Sequence, residues 1–408
     1  MYVTRPLWLC KQKASTLSNT STQENPNSGC LVVSSNHEEL EKVIEICPGN
    51  TRKANQHDKL PFIQNYLTDI VYSGGDYDDF GGPVKSHIVV WFIPVVDQPP
   101  FSNRYYAIVP SGKYKGQAWT CARKEEMATT WFGKRKSPTV PSVFDHRNIY
   151  QQMKIEYKNG GFVAKSVAPD GVPPSFLRKP VWNVFYNNFD NLNFYGEASG
   201  LNTSVRLHLP NLDDRNMDVG KWYCPSLFIR EGISNDHSVI PSSFYDMSLE
   251  QYWEEIYQSE YNNDASQGHG NKNTVVVSQV VEKQSFMLFG EKAVEDETNG
   301  GVGSSGDADK FVWFFVNAEG KSVGLSAAVI EKMKRIQELG GWSGDGDNAA
   351  RVTKVEKFDG GEGNHSWKRF GCFVLVERFA LRRMDGTLVL TCDYKHLHRI
   401  QCKWELNE

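Results

Sequence analysis

Four side chains late in the sequence have the chemical types of zinc ligands. Cys392, His396, His398 and Cys402 follow the spacing Cys-x3-His-x-His-x3-Cys, and zinc prefers thiolate and imidazole donors. On one extended strand, however, the two cysteines would lie about 30 Å apart, at roughly 3.3 Å per residue, which is too far for a tetrahedral site. We therefore predict no metal site, with a turn near His396 as the alternative that would bring the four residues together.

Three further segments resemble nucleotide or calcium motifs, but each lacks a residue or a context that its motif needs. Gly-Lys-Ser at 320–322 would require a glycine where Phe315 stands to form a phosphate-binding loop. The glycines of 301–306 follow an acidic stretch rather than a strand, so no helix N-terminus is expected to meet a pyrophosphate. In the calcium-like spacing of 345–356, Ala350 occupies the position of the turn glycine. We predict no cofactor.

The charge balance argues against nucleic acid as a partner. The chain has 45 basic and 49 acidic residues, for a net charge of −4, and a binder of the phosphate backbone would show a basic excess. The compact basic cluster of 131–138 is typical of a solvated loop, with a nuclear signal or phosphorylation at Ser137 as the alternatives. No Gly-x-Ser-x-Gly elbow is present, and isolated Ser, His and Asp residues do not define a triad, so the catalytic residues stay unknown.

Neither a membrane span nor export is indicated. The strongest apolar run, 88–96, is about half the length of a spanning helix and contains Pro94. The first residues show no apolar stretch followed by a cleavage site. The eight cysteines are dispersed, which favours reduced thiols in a cytoplasmic or nuclear compartment. We therefore expect all eight to be free.

The elements that position these residues are mainly strands. A length of 408 residues favours two domains, and short β-branched and aromatic runs predict a β-rich α+β fold with mainly antiparallel sheets. Asp385-Gly386 between two such runs predicts a hairpin, because Asp-Gly adopts a type I′ turn easily. The strands are predicted at 30–33, 87–96, 104–109, 161–168, 222–230, 274–289, 311–316, 370–381 and 387–392.

A few helices and three loops are also predicted. A capping pair, Ser248 and Gln251, and an apolar stripe favour a helix near 248–260. A second apolar periodicity predicts a helix near 326–339, with Gly340 supplying the left-handed residue after it. A short helix is expected at 38–46. Composition predicts loops over the segments 12–28, 73–82 and 290–309.

A faint internal repeat divides the chain into an N-terminal β-rich half (1–180), a connecting segment (181–219) and a C-terminal β-rich half (220–408). An aromatic strand followed by Gly-Lys occurs at 104–113 and again at 311–321. If the halves are duplicated, Tyr2 corresponds to Tyr223 and the strand at 89–90 to the strand at 276–277. The turns at Asp170-Gly171 and Asp385-Gly386 are then equivalent, and Phe162 and Phe373 both face inward. Matches this short also arise between unrelated hairpins, so the sequence leaves duplication and chance similarity open.

Several phrases of the sequence are similar to those of an uncharacterised plant family, the domain of unknown function 1262. The resemblance covers nearly the whole chain and implies a plant intracellular protein, but no activity, substrate or fold. The phrases lie at 1–7, 26–29, 102–106, 144–146, 149–152, 161–171, 220–225 and 396–404.

We therefore expect a non-enzymatic binding or interaction module whose partner is a protein or a small molecule. The alternative is an enzyme, such as a hydrolase, with a site assembled from distant residues. An enzyme should hold titratable residues with perturbed pKa values in a deep pocket. A binding module should present a groove without them.

Overall fold

The structure is a computed structural model that describes most of the chain. The predicted helix at 38–46 lies outside the described residues. The same holds for most of the predicted loop at 12–28 and for 297–309 of the loop at 290–309. The described residues are 1–12, 28–34, 59–77, 83–126, 128–129, 135–136, 140–179, 181–187, 197–213, 216–232, 243–261, 273–296, 311–316, 320–359 and 366–407.

Strands predominate in this part of the chain. The helices are α1 (Leu7–Gln12), α2 (Thr203–Leu207) and α3 (Ala327–Leu339), and none of them has the length and apolar character needed to cross a membrane. The strands are β1 (Tyr2–Pro6), β2 (Gly29–Val33), β3 (Leu67–Tyr77), β4 (Pro83–Pro94), β5 (Arg104–Ile108), β6 (Ala122–Arg123), β7 (Ala128–Thr129), β8 (Arg135–Lys136), β9 (Gln152–Lys158), β10 (Gly161–Ser166), β11 (Gly171–Val172), β12 (Asn183–Asn187), β13 (Gly200–Leu201), β14 (Met217–Pro225), β15 (Ile229–Gly232), β16 (Phe244–Glu260), β17 (Thr274–Glu282), β18 (Gln284–Leu288), β19 (Glu291–Asp296), β20 (Phe311–Phe315), β21 (Ser322–Ser326), β22 (Ala349–Lys357), β23 (Trp367–Arg383) and β24 (Leu388–Leu406).

Two sheets contain most of the strands. The larger one runs β15-β21-β20-β19-β18-β24-β23-β16-β14-β1-β2, with β13 beside β14, and the smaller one runs β10-β9-β5-β4-β3-β12. All neighbours pair antiparallel except β1 and β2, which are parallel. This arrangement confirms the predicted β-rich fold with mainly antiparallel sheets.

Two large apolar clusters are buried, and the larger one contains residues of both sheets. Because alternate residues of a strand face opposite sides of a sheet, one row of side chains per strand can enter a core. The larger cluster includes Trp222 and Phe379, together with Met333 from α3. The smaller cluster contains Phe92 and Trp182, whose rings stack with an interplanar angle of 16°. The apolar row of side chains on the large sheet thus meets Met333, so that α3 packs against this sheet.

The helix predicted near 248–260 is wrong, because these residues lie in β16. This strand is hydrogen-bonded to β14 on one side and to β23 on the other. Leu249 is buried in the core, whereas Glu250 accepts a hydrogen bond from Arg382 Nη2 (2.9 Å). Arginines of β23 thus pair with the polar residues of β16, and this tertiary context overrides the helical pattern.

The second helix and the C-terminal hairpin were predicted correctly. The hydroxyl of Ser326 accepts a hydrogen bond from the backbone N–H of Ala328 (3.3 Å) at the start of α3. After α3, Gly340 has a φ of −83°, and the left-handed residue is instead Gly341, with a φ of +89°. Gly386, with the same positive φ, lies in the turn between β23 and β24.

The predicted duplication is not shown, because the supposed equivalents differ in strand order. In the N-terminal part β4 pairs with β5. Their counterparts β17 and β20 do not pair with each other, since β17 pairs with β22 and β20 pairs with β19 and β21. Tyr2 and Tyr223, which the repeat would make equivalent, are direct partners in one sheet. Phe162 is fully buried, but Phe373 is only half-buried.

The turns agree only in part with the repeat. Gly112 lies in the turn after β5, and Gly320 precedes β21; both have positive φ angles, 79° and 65°. Gly171, however, begins β11, which pairs with β6, whereas Gly386 lies in a hairpin. The division at 180 and 220 stays a prediction, and β1 and β2 lie in the large sheet beside β14.

Two predicted loops begin as strands. Residues 73–77 continue β3, and residues 291–296 form β19. Both strands pair with a neighbour, β3 with β4 and β19 with β18. Glycine and acidic residues are poor strand formers, but pairing within a sheet overrides that preference.

Candidate functional site

A pocket opens beside α2, where the end of α3 approaches β16, β23 and β24. Its volume is about 420 Å³, within the range typical of small-molecule sites. We call it the Glu377 pocket, after the carboxylate on its floor. It is lined by Leu201, Thr203, Arg206, Leu207, Leu209, Gln251, Leu339, Gly340, Leu375, Glu377, His396 and Arg399.

Glu377 is held on the floor by two neighbouring side chains. Arg206 donates from Nε to Oε1 (2.8 Å) and from Nη2 to Oε2 (2.6 Å), a two-point geometry that fits a carboxylate well. Gln251 Nε2 donates to the same Oε1 (2.8 Å) and to the backbone oxygen of Arg206 (3.2 Å). The three side chains come from β23, α2 and β16, so the floor ties the short helix to the sheet.

These contacts decide the charge of Glu377. Its side chain is only 2 % exposed, and burial alone would disfavour the ionised form. Hydrogen bonds from His396 and Arg206, together with the charge of Arg206, outweigh burial and lower the pKa of Glu377 from 4.5 to about 2. Glu377 is therefore ionised throughout the physiological pH range.

His396 completes the floor from β24. Its side chain is 1 % exposed. Nε2 lies 2.9 Å from Oε1 of Gln337 and 3.7 Å from Oε2 of Glu377. A proton on Nε2 donates to Oε1 of Gln337 and faces the negative charge of Glu377. In the neutral ring this leaves Nδ1 as a hydrogen-bond acceptor.

Three buried polar atoms of this group have no hydrogen-bond partner among the described residues. They are Oε1 of Gln251, Nε2 of Gln337 and Nδ1 of His396. Leaving a buried donor or acceptor unpaired costs roughly 1–3 kcal/mol, and native structures contain few such groups. Gln251 and His396 line the pocket, whereas Gln337 lies behind His396. The two unpaired atoms of the lining therefore indicate a place where a bound molecule would supply the missing partners.

An irregularity in β24 shapes the wall next to His396. Val374 pairs with Ile400 and Leu375 with His396, so residues 397–399 have no partner on β23. A bulge of this kind re-aims side chains locally. Here it carries Arg399 to the pocket lining. Arg399 has no ion-pair partner among the described residues.

Two glycines after α3 allow the close approach of these side chains. A Cβ added at Gly340 would collide with the guanidinium of Arg206 and lie 3.1 Å from Cε1 of His396. A Cβ at Gly341 would lie 3.0 Å from Nε2 of His398. Burial, together with the nearby His396 and Arg399, lowers the pKa of His398 from 6.5.

The remaining wall is apolar and aliphatic. Leu375 is buried at depth, while Leu207 and Leu339 are 75 % and 63 % exposed at the rim. Leu201 and Leu209 complete the set, and the only ring in the lining is the imidazole of His396. The pocket therefore combines a polar floor with a leucine-rich mouth.

The four residues considered for zinc do not form a site. Cys402 lies opposite Cys372 in the β23–β24 pair, and Cys392 lies opposite Phe379. The rings of His396 and His398 are 5.4 Å apart. Within the described ranges, no group of three His, Cys, Asp or Glu side chains has an arrangement that could hold a metal ion. A turn near His396 was the alternative that would bring the four residues together. The irregularity found there leaves the two cysteines opposite different residues of β23.

The other chemically notable residues lie elsewhere. Lys321 precedes β21 in a hairpin, and Glu356 lies on β22. Most of the basic cluster, including Ser137, and all of 301–306 lie outside the described residues. Seven cysteines are free, and Cys47 lies outside the described residues. The sequence did not single out Arg206 or Glu377, and it indicated Gln251 only as part of a helix cap.

Comparisons with known proteins give a family match and several similar solved structures. A family described as "Protein of unknown function (DUF1262)" matches residues 24–132, which supports the resemblance to domain of unknown function 1262. No curated protein matches the chain. A solved structure described as "Crystal structure of Cry35Ab1" is similar, with a TM-score of 0.44, 11% sequence identity, and coverage of 84% of this chain and 90% of that one.

Proposed function

We propose that this protein is a non-enzymatic binding protein that holds a small molecule in the Glu377 pocket. The observation that carries the proposal is the pair of unpaired, buried polar atoms that belong to residues of the pocket lining, Oε1 of Gln251 and Nδ1 of His396. A ligand with hydrogen-bond donors would pair them and recover the free energy that their burial costs.

The floor is also preorganised, which favours binding. Arg206, Gln251 and Glu377 are fixed by mutual hydrogen bonds between side chains of three elements. A ligand would therefore meet a surface that needs little reorganisation, and less of the interaction free energy would be spent on ordering it.

The enzyme alternative is supported by the feature expected of an enzyme, a titratable residue with a perturbed pKa in a pocket, which here is Glu377. His396 lies 3.7 Å from its carboxylate. A carboxylate beside a histidine occurs in sites of general acid–base catalysis. The pKa of Glu377 is lowered to about 2, however, and both of its oxygens already accept hydrogen bonds. Such a carboxylate positions its neighbours rather than exchanging protons near neutral pH. The lining offers one hydroxyl, on Thr203, and no thiol.

We also infer an intracellular location, cytoplasmic or nuclear. The seven free cysteines in the described ranges support this inference, because disulfides form chiefly in oxidising compartments. The plant origin rests on the sequence resemblance alone. The proposed binding function is also compatible with a protein as the partner.

A ligand screen with a blocked variant tests the binding function. Thr203 and Ser204 are exposed neighbours on α2, but only Thr203 lines the pocket. Thermal-shift and saturation-transfer NMR screening should find small molecules that bind the unmodified protein and Ser204→Trp but not Thr203→Trp. Equal binding to both variants would place the ligands elsewhere and contradict the proposal. Conversion of a bound molecule to product would favour the enzyme alternative.

A further inference from the structure

We propose that the ligand of the Glu377 pocket is an aliphatic hydroxy acid, with its carboxylate at Arg399, its hydroxyl at Gln251 and its hydrocarbon body along the leucines. This inference rests on the proposed binding function and names the chemical class of the ligand. Three separate observations support its three parts.

The charge of the pocket selects an anion. The lining contains two arginines and one carboxylate. Arg206 and Glu377 neutralise each other through their two-point contact, which leaves Arg399 as the excess cation. Its guanidinium presents a planar fork of donors that matches a carboxylate, and it has no competing carboxylate partner among the described residues.

One full negative charge matches this site better than two. A phosphate dianion would bring a second charge near Glu377, which is already ionised, and repulsion in a partly buried site is strong. A carboxylate balances Arg399 alone. A cationic head group would meet Arg399 directly and is disfavoured.

The amide of Gln251 indicates the hydroxyl group. Its Nε2 donates to Glu377 and to the backbone of Arg206, which identifies Oε1 as the free acceptor. His396 Nδ1 is a second acceptor when the proton is on Nε2. A carboxylate cannot donate to either atom, but a hydroxyl can. The head group should therefore carry a donor beside its charge.

The lining also distinguishes an aliphatic body from a planar one. Five leucines line the pocket, and none of the described lining residues carries a phenyl, phenol or indole ring. Sites for bases commonly offer aromatic faces for stacking, which this lining lacks. Burying each methylene group of an alkyl chain contributes about 0.8 kcal/mol, so a chain of several carbons supplies much of the affinity.

Four probes with the same eight-carbon body separate these contributions by titration calorimetry of the full chain. They are 2-hydroxyoctanoate, octanoate, octane-1,2-diol and octylamine. We expect 2-hydroxyoctanoate to bind tightest. Octanoate should bind about 5- to 10-fold more weakly, because one hydrogen bond contributes roughly 1 kcal/mol. The diol should bind at least about tenfold more weakly, because it lacks the charged pair.

Arg399→Gln tests the position of the carboxylate, and Arg335→Gln is the matched control. Arg335 is exposed on α3 and does not line the Glu377 pocket. Arg399→Gln should reduce the preference for 2-hydroxyoctanoate over the diol by about tenfold, and Arg335→Gln should leave it unchanged. Thr203→Trp should abolish binding of all the probes.

The outcomes distinguish the ligand class from the binding function. The proposed anionic head group is wrong if the diol or octylamine binds as tightly as 2-hydroxyoctanoate. It is also wrong if Arg399→Gln keeps the preference for 2-hydroxyoctanoate over the diol. In both cases the pocket still binds ligands. If octanoate equals 2-hydroxyoctanoate, the hydroxyl is wrong. If no probe binds but the screen yields molecules that bind the unmodified protein and not Thr203→Trp, the hydroxy-acid class is overturned and the binding function stands. If the screen yields none, both fail.

Discussion

Replacing Arg206 by methionine removes the cation that keeps Glu377 ionised inside the protein. At about 1.4 kcal/mol per pH unit, lowering the pKa from 4.5 to about 2 corresponds to about 3 kcal/mol of stability at neutral pH. Breaking a buried ion pair by removing one partner costs about 3–5 kcal/mol in other proteins. We therefore expect Arg206→Met to lower the free energy of unfolding by about 3 kcal/mol or more.

Urea denaturation near pH 7 measures this loss, with Arg335→Met as the control on an exposed helix position. The sign of the pH dependence provides a second check. A carboxylate with a lowered pKa contributes stability that is present above pH 4.5 and lost as the pH falls toward 2. Glu377→Gln should remove that component, and Arg206→Met/Glu377→Gln should be less destabilised than Arg206→Met alone. If Arg206→Met costs no more than Arg335→Met, the ion pair does not stabilise the floor and the reasoning fails.

Three further outcomes are expected. Gly340→Ala should lower both the melting temperature and the affinity for 2-hydroxyoctanoate, because its Cβ would displace the Arg206 guanidinium; an unchanged melting temperature would contradict this. Because the pKa of His398 is lowered in the folded protein, the free energy of unfolding decreases as the pH falls below about 6.5. The free energy of unfolding of His398→Gln, measured by urea denaturation, should therefore change less between about pH 7 and 5.5 than that of the unmodified protein. Burial raises the pKa of the Cys121 and Cys224 thiols to about 11; both should therefore react slowly with a thiol reagent in the folded protein, and rapid labelling would count against their burial.

Local patterns predicted the parts of the fold that depend on neighbours in sequence. Asp385-Gly386 forms its hairpin, and the periodicity around Met333 forms α3, because turn chemistry and helical spacing are read within a few residues. The helix near 248–260 failed for the opposite reason. Its polar residues pair with arginines more than 110 residues away, such as Arg382 with Ser248, and no local pattern records that pairing.

The sequence predicted the pocket even less well than it predicted the fold. Arg206 and Glu377 are separated by 171 residues, and His396 and Gln337 by 59. Composition and spacing carry no signal for such contacts, which depend on sheet order and on a bulge in β24. The sequence did mark His396 as chemically notable, but for a metal site that the strand geometry does not form.

The position of β1 between β14 and β2 affects how the chain can fold during synthesis. Tyr2 pairs with Tyr223, so the ribosome must add 221 more residues before β1 meets its antiparallel partner. At about 5–20 residues per second this takes on the order of 10–40 s, and contacts so distant in sequence form slowly. Until then β1 and β2 can pair only with each other, and the hydrogen-bonding edge of β1 that β14 later occupies is exposed. A molecular chaperone that protects exposed strand edges would therefore act on β1 while the residues up to β14 are still being synthesised.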